Sequence, residues 1–399
     1  SGSTGKHVED PDPRPEFPRV VRSYHTITDT WTEAGTMPRG LVTTGAVRHQ
    51  GEIIIATGEV SPGVRTPAVR SVTITPQDSG FGTANTIVLG LYLAALVWIG
   101  LRFSRRNGDA EDFFLAGRRI PWWAAGISIF ATQLSAITFV STPAVAYASN
   151  WLVLPGKAMI LVMAPIVVLL YLPFFRRLDI TTAYEYLERR FSLAVRLFGS
   201  ASFIAFQLLR MAIVVFLPAL ALSTITGINV YACIAIMGAL STLYTVLGGM
   251  EAVIWTDVLQ TVVLIGGMLI AIIIVAMEVG GFGAVFEAAE AADKTQMWDW
   301  SMSTTDLATW SILLGTLALQ FGPYTTDQSV VQRYLTTKDE SSAARGIWLN
   351  GLLAIPVGAL FMLLGTCLFV FFQHRPELLH VSMKNDEVFP LFVSSTCEV

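Results

Sequence analysis

Charged side chains are sparse within the apolar runs of this chain, and a charge at membrane depth is costly enough to be a functional candidate by default. Those found there are Lys157, Arg210, Asp257 and Asp327. Lys157 and Asp327 lie near the ends of their runs, where a side chain can also reach the interface. Arg210 sits deeper, in Gln207-Leu208-Leu209-Arg210-Met211-Ala212. It suits an anionic ligand or an internal partner. Asp257 lies a turn or two inside its run, in the stretch Gly248 to Gln260. A carboxylate there can hold a cation or a proton, or anchor neighbouring helices. Another run carries Ser128, Thr132, Gln133, Ser135, Thr138, Ser141 and Thr142. Ser135 and Thr138, three apart, share a helix face. Such hydroxyls serve helix packing, and they also satisfy main-chain groups freed where a helix unwinds. A second interruption is predicted at Leu319 to Tyr324, where Gly322-Pro323 should open the hydrogen-bond ladder. Two interrupted spans, the second and the seventh, suggest halves of an inverted repeat with a site between the breaks. Half-helix ends there would offer carbonyls to a cation and N–H groups to an anion.

The elements that must hold these residues follow from composition. The chain has 399 residues, 53% hydrophobic and only 14% charged, with mean hydropathy +0.57. Soluble domains carry about 25% charged residues, so the chain reads as a polytopic membrane protein whose surroundings are the lipid bilayer. Eight apolar runs are each long enough for a helix of roughly 20 residues to cross the hydrocarbon: 86–103, 124–148, 157–175, 198–222, 230–248, 252–277, 309–331 and 346–372. The net charge of −4 and the absence of a long basic cluster argue against nucleic acid. Cys233, Cys367 and Cys397 are too few for a disulfide framework or a four-ligand zinc site. No phosphate-binding Gly-rich loop is present, so nothing supports ATP-driven pumping. No catalytic constellation is visible, and the chain is expected not to be an enzyme.

Lys and Arg gather in 102–123, 176–197 and 332–345, among them Arg118, Arg119, Arg176, Arg189, Arg333 and Lys338. The segments assigned outside after the first span carry Lys294, Arg375 and Lys384. By the positive-inside rule the amino-terminal part lies outside the cytoplasm. That part, residues 1–80, is polar and rich in Pro and Gly. It alternates as short strands: Tyr24-His25-Thr26, a turn at Gly35-Thr36-Met37-Pro38, Gly45-Ala46-Val47, then Gly51 to Gly58. The order resembles one blade of a kelch β-propeller, with Thr57-Gly58 where that family has a double glycine. The start at Ser1 and the stop after Val388-Phe389-Pro390-Leu391-Phe392 suggest a fragment.

Four further stretches together resemble the sodium:solute symporter family over about 82–399. They are Phe113 to Arg119, Ala131 to Thr138, Gly248 to Gln260, and Asp327 to Arg333. The resemblance implies an all-α polytopic membrane protein with the inverted five-helix repeat of leucine-transporter-like folds. The second repeat would be truncated, and a short all-β kelch-like segment (1–80) would precede the transmembrane domain (81–399). It implies Na+ as a transported coupling ion. The carbonyls of Ala131 and Leu134 match one sodium site, whose other ligands would lie on a helix beginning after Val399. Asp257 matches a carboxylate near a second sodium in some members. Ser135, Thr138 and Arg210 match the substrate contacts of members that carry sialic acid, and Lys157 stands where that branch has an amide. The expected function is sodium-coupled uptake of a small organic solute by alternating access, with sialic acid, another carboxylated sugar or a monocarboxylate as candidates. The expected location is a bacterial inner membrane. The alternative is a membrane sensor binding a sugar outside. Oligomeric state stays open.

Overall fold

A computed structural model describes residues 16–42, 44–50, 52–73, 82–104, 108–178, 182–302, 307–379 and 383–396. It divides into two compact units, one of 1–79 with 369–384 and one of 80–368 with 385–399.

The first unit is made of short antiparallel strands. β1 (Val20–His25) pairs with β2 (Thr30–Thr36). The hairpin is held by the Tyr24 hydroxyl donating to Asp29 at 2.6 Å and by the Tyr24 and Trp31 rings 4.8 Å apart. β2 runs on through Gly35-Thr36, which the sequence pattern places in a turn. β3 (Gly45–His49), β4 (Glu52–Ala56) and β7 (Val69–Thr73) form a three-stranded sheet in the order β3-β4-β7. A small hairpin of β5 (Glu59–Ser61) and β6 (Val64–Arg65) lies between β4 and β7 in sequence. Thr57 and Gly58 both take positive φ, 61° and 126°, where the blade pattern would place glycines.

The second unit is helical. In chain order it contains α1 (Thr83–Ser104), α2 (Ala110–Leu115), α3 (Trp122–Gln133), α4 (Ala136–Ala148), α5 (Leu154–Lys157), α6 (Met159–Ile166), α7 (Leu172–Arg177) and α8 (Ala183–Arg190). There follow α9 (Leu193–Thr226), α10 (Val230–Val279), α11 (Phe282–Ala291), α12 (Thr309–Thr325), α13 (Gln328–Leu335), α14 (Glu340–His374, of which 369–374 belong to the first unit) and α15 (Val388–Thr396). Among the described residues five helices are long and apolar enough to cross a membrane, or six if the bent pair α3 and α4 is one span. Two reasons separate this from the eight runs. The runs 230–248 and 252–277 are joined in α10, and the run 309–331 is divided between α12 and α13.

A helix as long as α10, 50 residues, would extend about 75 Å at 1.5 Å per residue, far beyond the roughly 30 Å of hydrocarbon. Gly249 resolves this. Its φ of 59° and ψ of −156° lie in a region open almost only to glycine, and the ladder breaks between the two predicted spans.

α14 positions the broken helix through close backbone approaches. A Cβ on Gly126 of α3 would stand 2.7 Å from the Gly346 carbonyl, and one on Gly365 would stand 2.1 Å from the Pro143 carbonyl of α4. Small residues at such crossings are how membrane helices approach closely. Between these points Ile129, Ile160, Met163, Tyr324, Val331 and Tyr334 fill one buried apolar cluster.

The carboxyl end of α4 is fastened to the segment after α11. The Lys294 ammonium, 7% exposed, donates to the Tyr147 carbonyl at 2.8 Å, and Trp151 N–H donates to the Gln296 carbonyl at 3.1 Å. A cation at a helix carboxyl end meets the negative pole of its dipole. Burial nevertheless lowers the Lys294 pKa to about 8.

Two outcomes follow. Gly249→Ala should lower stability by about 1–3 kcal/mol, read as a fall in the thermal unfolding midpoint. For Lys294, the folded chain binds fewer protons than the unfolded one between about pH 8 and its ordinary lysine value, so stability should rise with pH across that window. That rise should disappear in Lys294→Met, measured as the unfolding midpoint against pH.

Candidate functional site

The first predicted break is present, and its hydrogen bonds show how it closes. The Leu134 N–H donates to the carbonyls of Phe130 at 3.2 Å and Ala131 at 3.0 Å, tightening the last turn of α3. Leu134 and Ser135 are then extended, with φ/ψ of −92°/95° and −89°/161°. Ser135 Oγ accepts the Thr138 N–H at 3.1 Å and lies 3.0 Å from Thr138 Oγ1, capping α4. The two helix axes differ by 63°. A helix end leaves its last carbonyls without intrahelical partners. The carboxyl end of α3 therefore offers partial negative charge to a cation, and the amino end of α4 offers N–H groups to an anion.

The second break is real but displaced from the predicted position. α12 continues through Gly322-Pro323 and ends at Thr325. Proline removes the N–H that would reach the carbonyl four residues back, a loss the helix absorbs here, and threonine hydroxyls secure the end of the ladder beyond it. Thr325 Oγ1 donates to the Phe321 carbonyl at 2.6 Å, and Thr326 donates to the Gly322 carbonyl through its N–H at 3.0 Å and its hydroxyl at 3.2 Å. The chain turns extended at Asp327, whose Oδ1 caps α13 by accepting the Ser329 N–H at 2.9 Å and the Ser329 hydroxyl at 2.6 Å.

Between the breaks lies a cavity of about 140 Å3. Of the residues anticipated from sequence, Leu134, Thr138 and Lys157 line it, joined by Gln133, Gln320 and Asn350. Asn350, 1% exposed, is bonded to the Tyr324 hydroxyl at 3.1 Å. Ala131 and Ser135 flank the break without lining the cavity.

Arg210 is not among the lining residues. Its guanidinium stands 4.0 Å from Asp327 Oδ2, the oxygen that does not cap α13. Asp257 belongs to a separate polar cluster. Its Oδ2 accepts from Arg333 Nη2 at 3.0 Å and from Ser128 Oγ at 2.5 Å, and Arg333 Nε also donates to Ser128 Oγ at 2.8 Å. This joins α3, α10 and α13. Arg333, read from sequence as an inner-loop charge, is 8% exposed. α13 runs past it to Leu335 and carries it to Asp257. Asn350, a lone amide inside the run 346–372, was the visible signal for the Tyr324 pair. Nothing local in sequence signals the joining of Ser128 to Arg333.

The sodium:solute symporter family profile matches residues 113–396. The chain belongs to that family. It is 41% identical over 317 residues to the sodium/sialic acid symporter SiaT of Proteus mirabilis, covering 78% of this chain and 64% of that protein. It is also 41% identical over 329 residues to the sodium/sialic acid symporter NanT of Aliivibrio fischeri, covering 81% and 64%. The human sodium/iodide cotransporter is 34% identical over 324 residues, 78% of this chain and 50% of the relative. A solved structure of a Na+-coupled sialic acid symporter, in its substrate-bound outward-open state, matches at TM-score 0.74 and 39% identity over 79% of this chain and 66% of that one. The chain thus spans 64% of the length of each sialic acid symporter it matches in sequence. As a member of the sodium:solute symporter family it places the unwound stretch 134–135 inside the region of family similarity.

Removing one partner of a buried ion pair costs about 3–5 kcal/mol, because the other charge is left unmatched. Asp257→Leu and Arg333→Met should each lower stability by an amount in that range, read as a fall in the thermal unfolding midpoint, and the double variant should lose less than the sum of the two. Additive losses in a double-mutant cycle would show that the two side chains are not coupled.

Proposed function

We propose that the protein is a sodium-coupled secondary transporter of a small carboxylated solute, of the kind its sialic acid symporter relatives carry, working by alternating access. The single observation that carries this reading is the extended backbone at Leu134 and Ser135 between two helix ends of opposite polarity, beside a polar cavity. In this reading the carbonyls of Ala131 and Leu134 contribute to a sodium site. Asp257 supplies a carboxylate that a second cation could share only by displacing Arg333 or using its other oxygen. Ser135, Thr138, Arg210 and Lys157 serve the solute, with Arg210 exchanging Asp327 for the solute's acid group. The two breaks belong to two inverted five-helix halves, and sodium orders the first break so that solute binds from the outside. The protein spans a bacterial inner membrane several times. Its kelch-like amino-terminal segment lies outside the cytoplasm.

The experiment is uptake of radiolabelled N-acetylneuraminate into vesicles containing the protein, with an inward sodium gradient and with sodium equal on both sides. Accumulation above equilibrium should occur only with the gradient. Equal uptake in the two conditions rules out coupling.

A further inference from the structure

We propose that the hairpin of β1 and β2 carries a binding face for a neutral carbohydrate, with Tyr24 and Trp31 as its platform. The face belongs to the strand unit, and the proposal goes beyond the transporter reading without resting on it. The strand register sets Tyr24 opposite Trp31 and Arg22 opposite Glu33, so these four side chains share one side of the ribbon. All four are exposed, Trp31 at 65% and Tyr24 at 43%. The alternate residues Ser23, His25, Thr30 and Thr32 are half-buried. A strand with one wet face turns its apolar residues inward and its polar residues outward. This hairpin does the reverse, holding small polar residues inward while two large rings meet solvent. Local pattern is broken in this way where function requires it, and exposed aromatic surface marks a place of contact.

The face is held ready by its turn. His25 Nδ1 accepts the Thr28 N–H at 3.3 Å and lies 3.0 Å from the Thr28 hydroxyl, which is itself 2.7 Å from the Thr30 hydroxyl. The Tyr24 hydroxyl is committed to Asp29 Oδ1 at 2.6 Å, which fixes its ring 4.8 Å from that of Trp31. The other Asp29 oxygen can accept from a ligand. Among the described residues Arg22 and Glu33 make no ion pair, although they stand opposite each other in the ladder. Flat apolar rings flanked by a donor and two acceptors match a pyranose. Its C–H bonds lie against the ring faces, and its hydroxyls meet Arg22, Asp29 and Glu33. One cation beside two acids gives no advantage to an anion, so the sugar is neutral. Area decides against a protein partner: two aromatic side chains offer at most about 500 Å2, whereas a stable protein interface covers about 800 Å2 on each side.

The test measures binding of fluorescently labelled maltotriose and chitotriose to the purified full chain, without sodium and in a detergent that has no sugar headgroup. At least one of the two should bind. Trp31→Ala should weaken that binding by about tenfold or more, and Trp31→Phe, which keeps a ring, should lose less. Arg22→Ala spares both rings and should also cost about tenfold, which keeps the test open if Trp31→Ala lowers the unfolding midpoint. Failure of the unmodified chain to bind either trisaccharide overturns the proposal, as does binding that both alanine variants leave unchanged. Self-association in sedimentation that Trp31→Ala abolishes, with no sugar bound, gives the face to a second copy of the chain and overturns it as well. Sodium-driven uptake of N-acetylneuraminate should be the same in Trp31→Ala as in the unmodified protein. Trisaccharide binding without coupled uptake removes the transporter reading and supports this one, and coupled uptake without trisaccharide binding does the opposite.

Discussion

Main-chain polar groups in hydrocarbon have no water to turn to, and each one left unmatched costs several kcal/mol. The helical unit is arranged around that constraint. Its chain leaves the helical path at Leu134-Ser135, Gly249 and Thr326-Asp327. At the first of these a serine hydroxyl takes over one donor and a tightened turn takes another. At the third, two threonines and an aspartate do the same work. A break of this kind survives only where protein surrounds it. Here α14 presses on α3 and α4 on both sides of the first break, at Gly346 and Gly365.

Charge obeys the same accounting. Asp257 is matched by Arg333 and Ser128, and Arg210 by Asp327. Both acids also border the second broken helix or its partner: one caps α13, the other receives a guanidinium from it. The polar contents of the bundle are thus tied to the places where backbone regularity fails. The loosest of these matches is Arg210 with Asp327 at 4.0 Å, a separation at which a guanidinium is attracted yet not locked in a short hydrogen bond.

What could be read from sequence was local. The cluster of hydroxyls around Ser135 and Thr138 marked the first break correctly, because serine and threonine are the residues that cap a restarted helix. Gly249 fell between two apolar runs and marked the kink within α10. The second break was misplaced by several residues because Gly322-Pro323 drew attention from Asp327-Gln328-Ser329, which carries the true cap. A proline near a helix end costs the ladder little, and Thr325 and Thr326 secure the turns beyond it through the Phe321 and Gly322 carbonyls. The pairing of Arg333 with Asp257 escaped notice for a different reason. A basic residue at the border of an apolar run looks like a loop charge unless the acid that claims it is known, and that acid lies on another helix. The members of the cavity were similarly divided: Thr138 and Lys157 stood out by type and Leu134 through the family resemblance, while Gln320 became significant only once the helices had brought it beside them.

The cluster of Ser128, Asp257 and Arg333 also bears on how the chain is made. Asp257 precedes Arg333 by 76 positions. At the ordinary pace of synthesis, about 5–20 residues per second, some 4–15 s separate the emergence of the acid from that of its guanidinium. Through that interval Ser128 is the one member of the cluster already made that the acid can meet. Final seating of the helix therefore waits on a residue translated well after it.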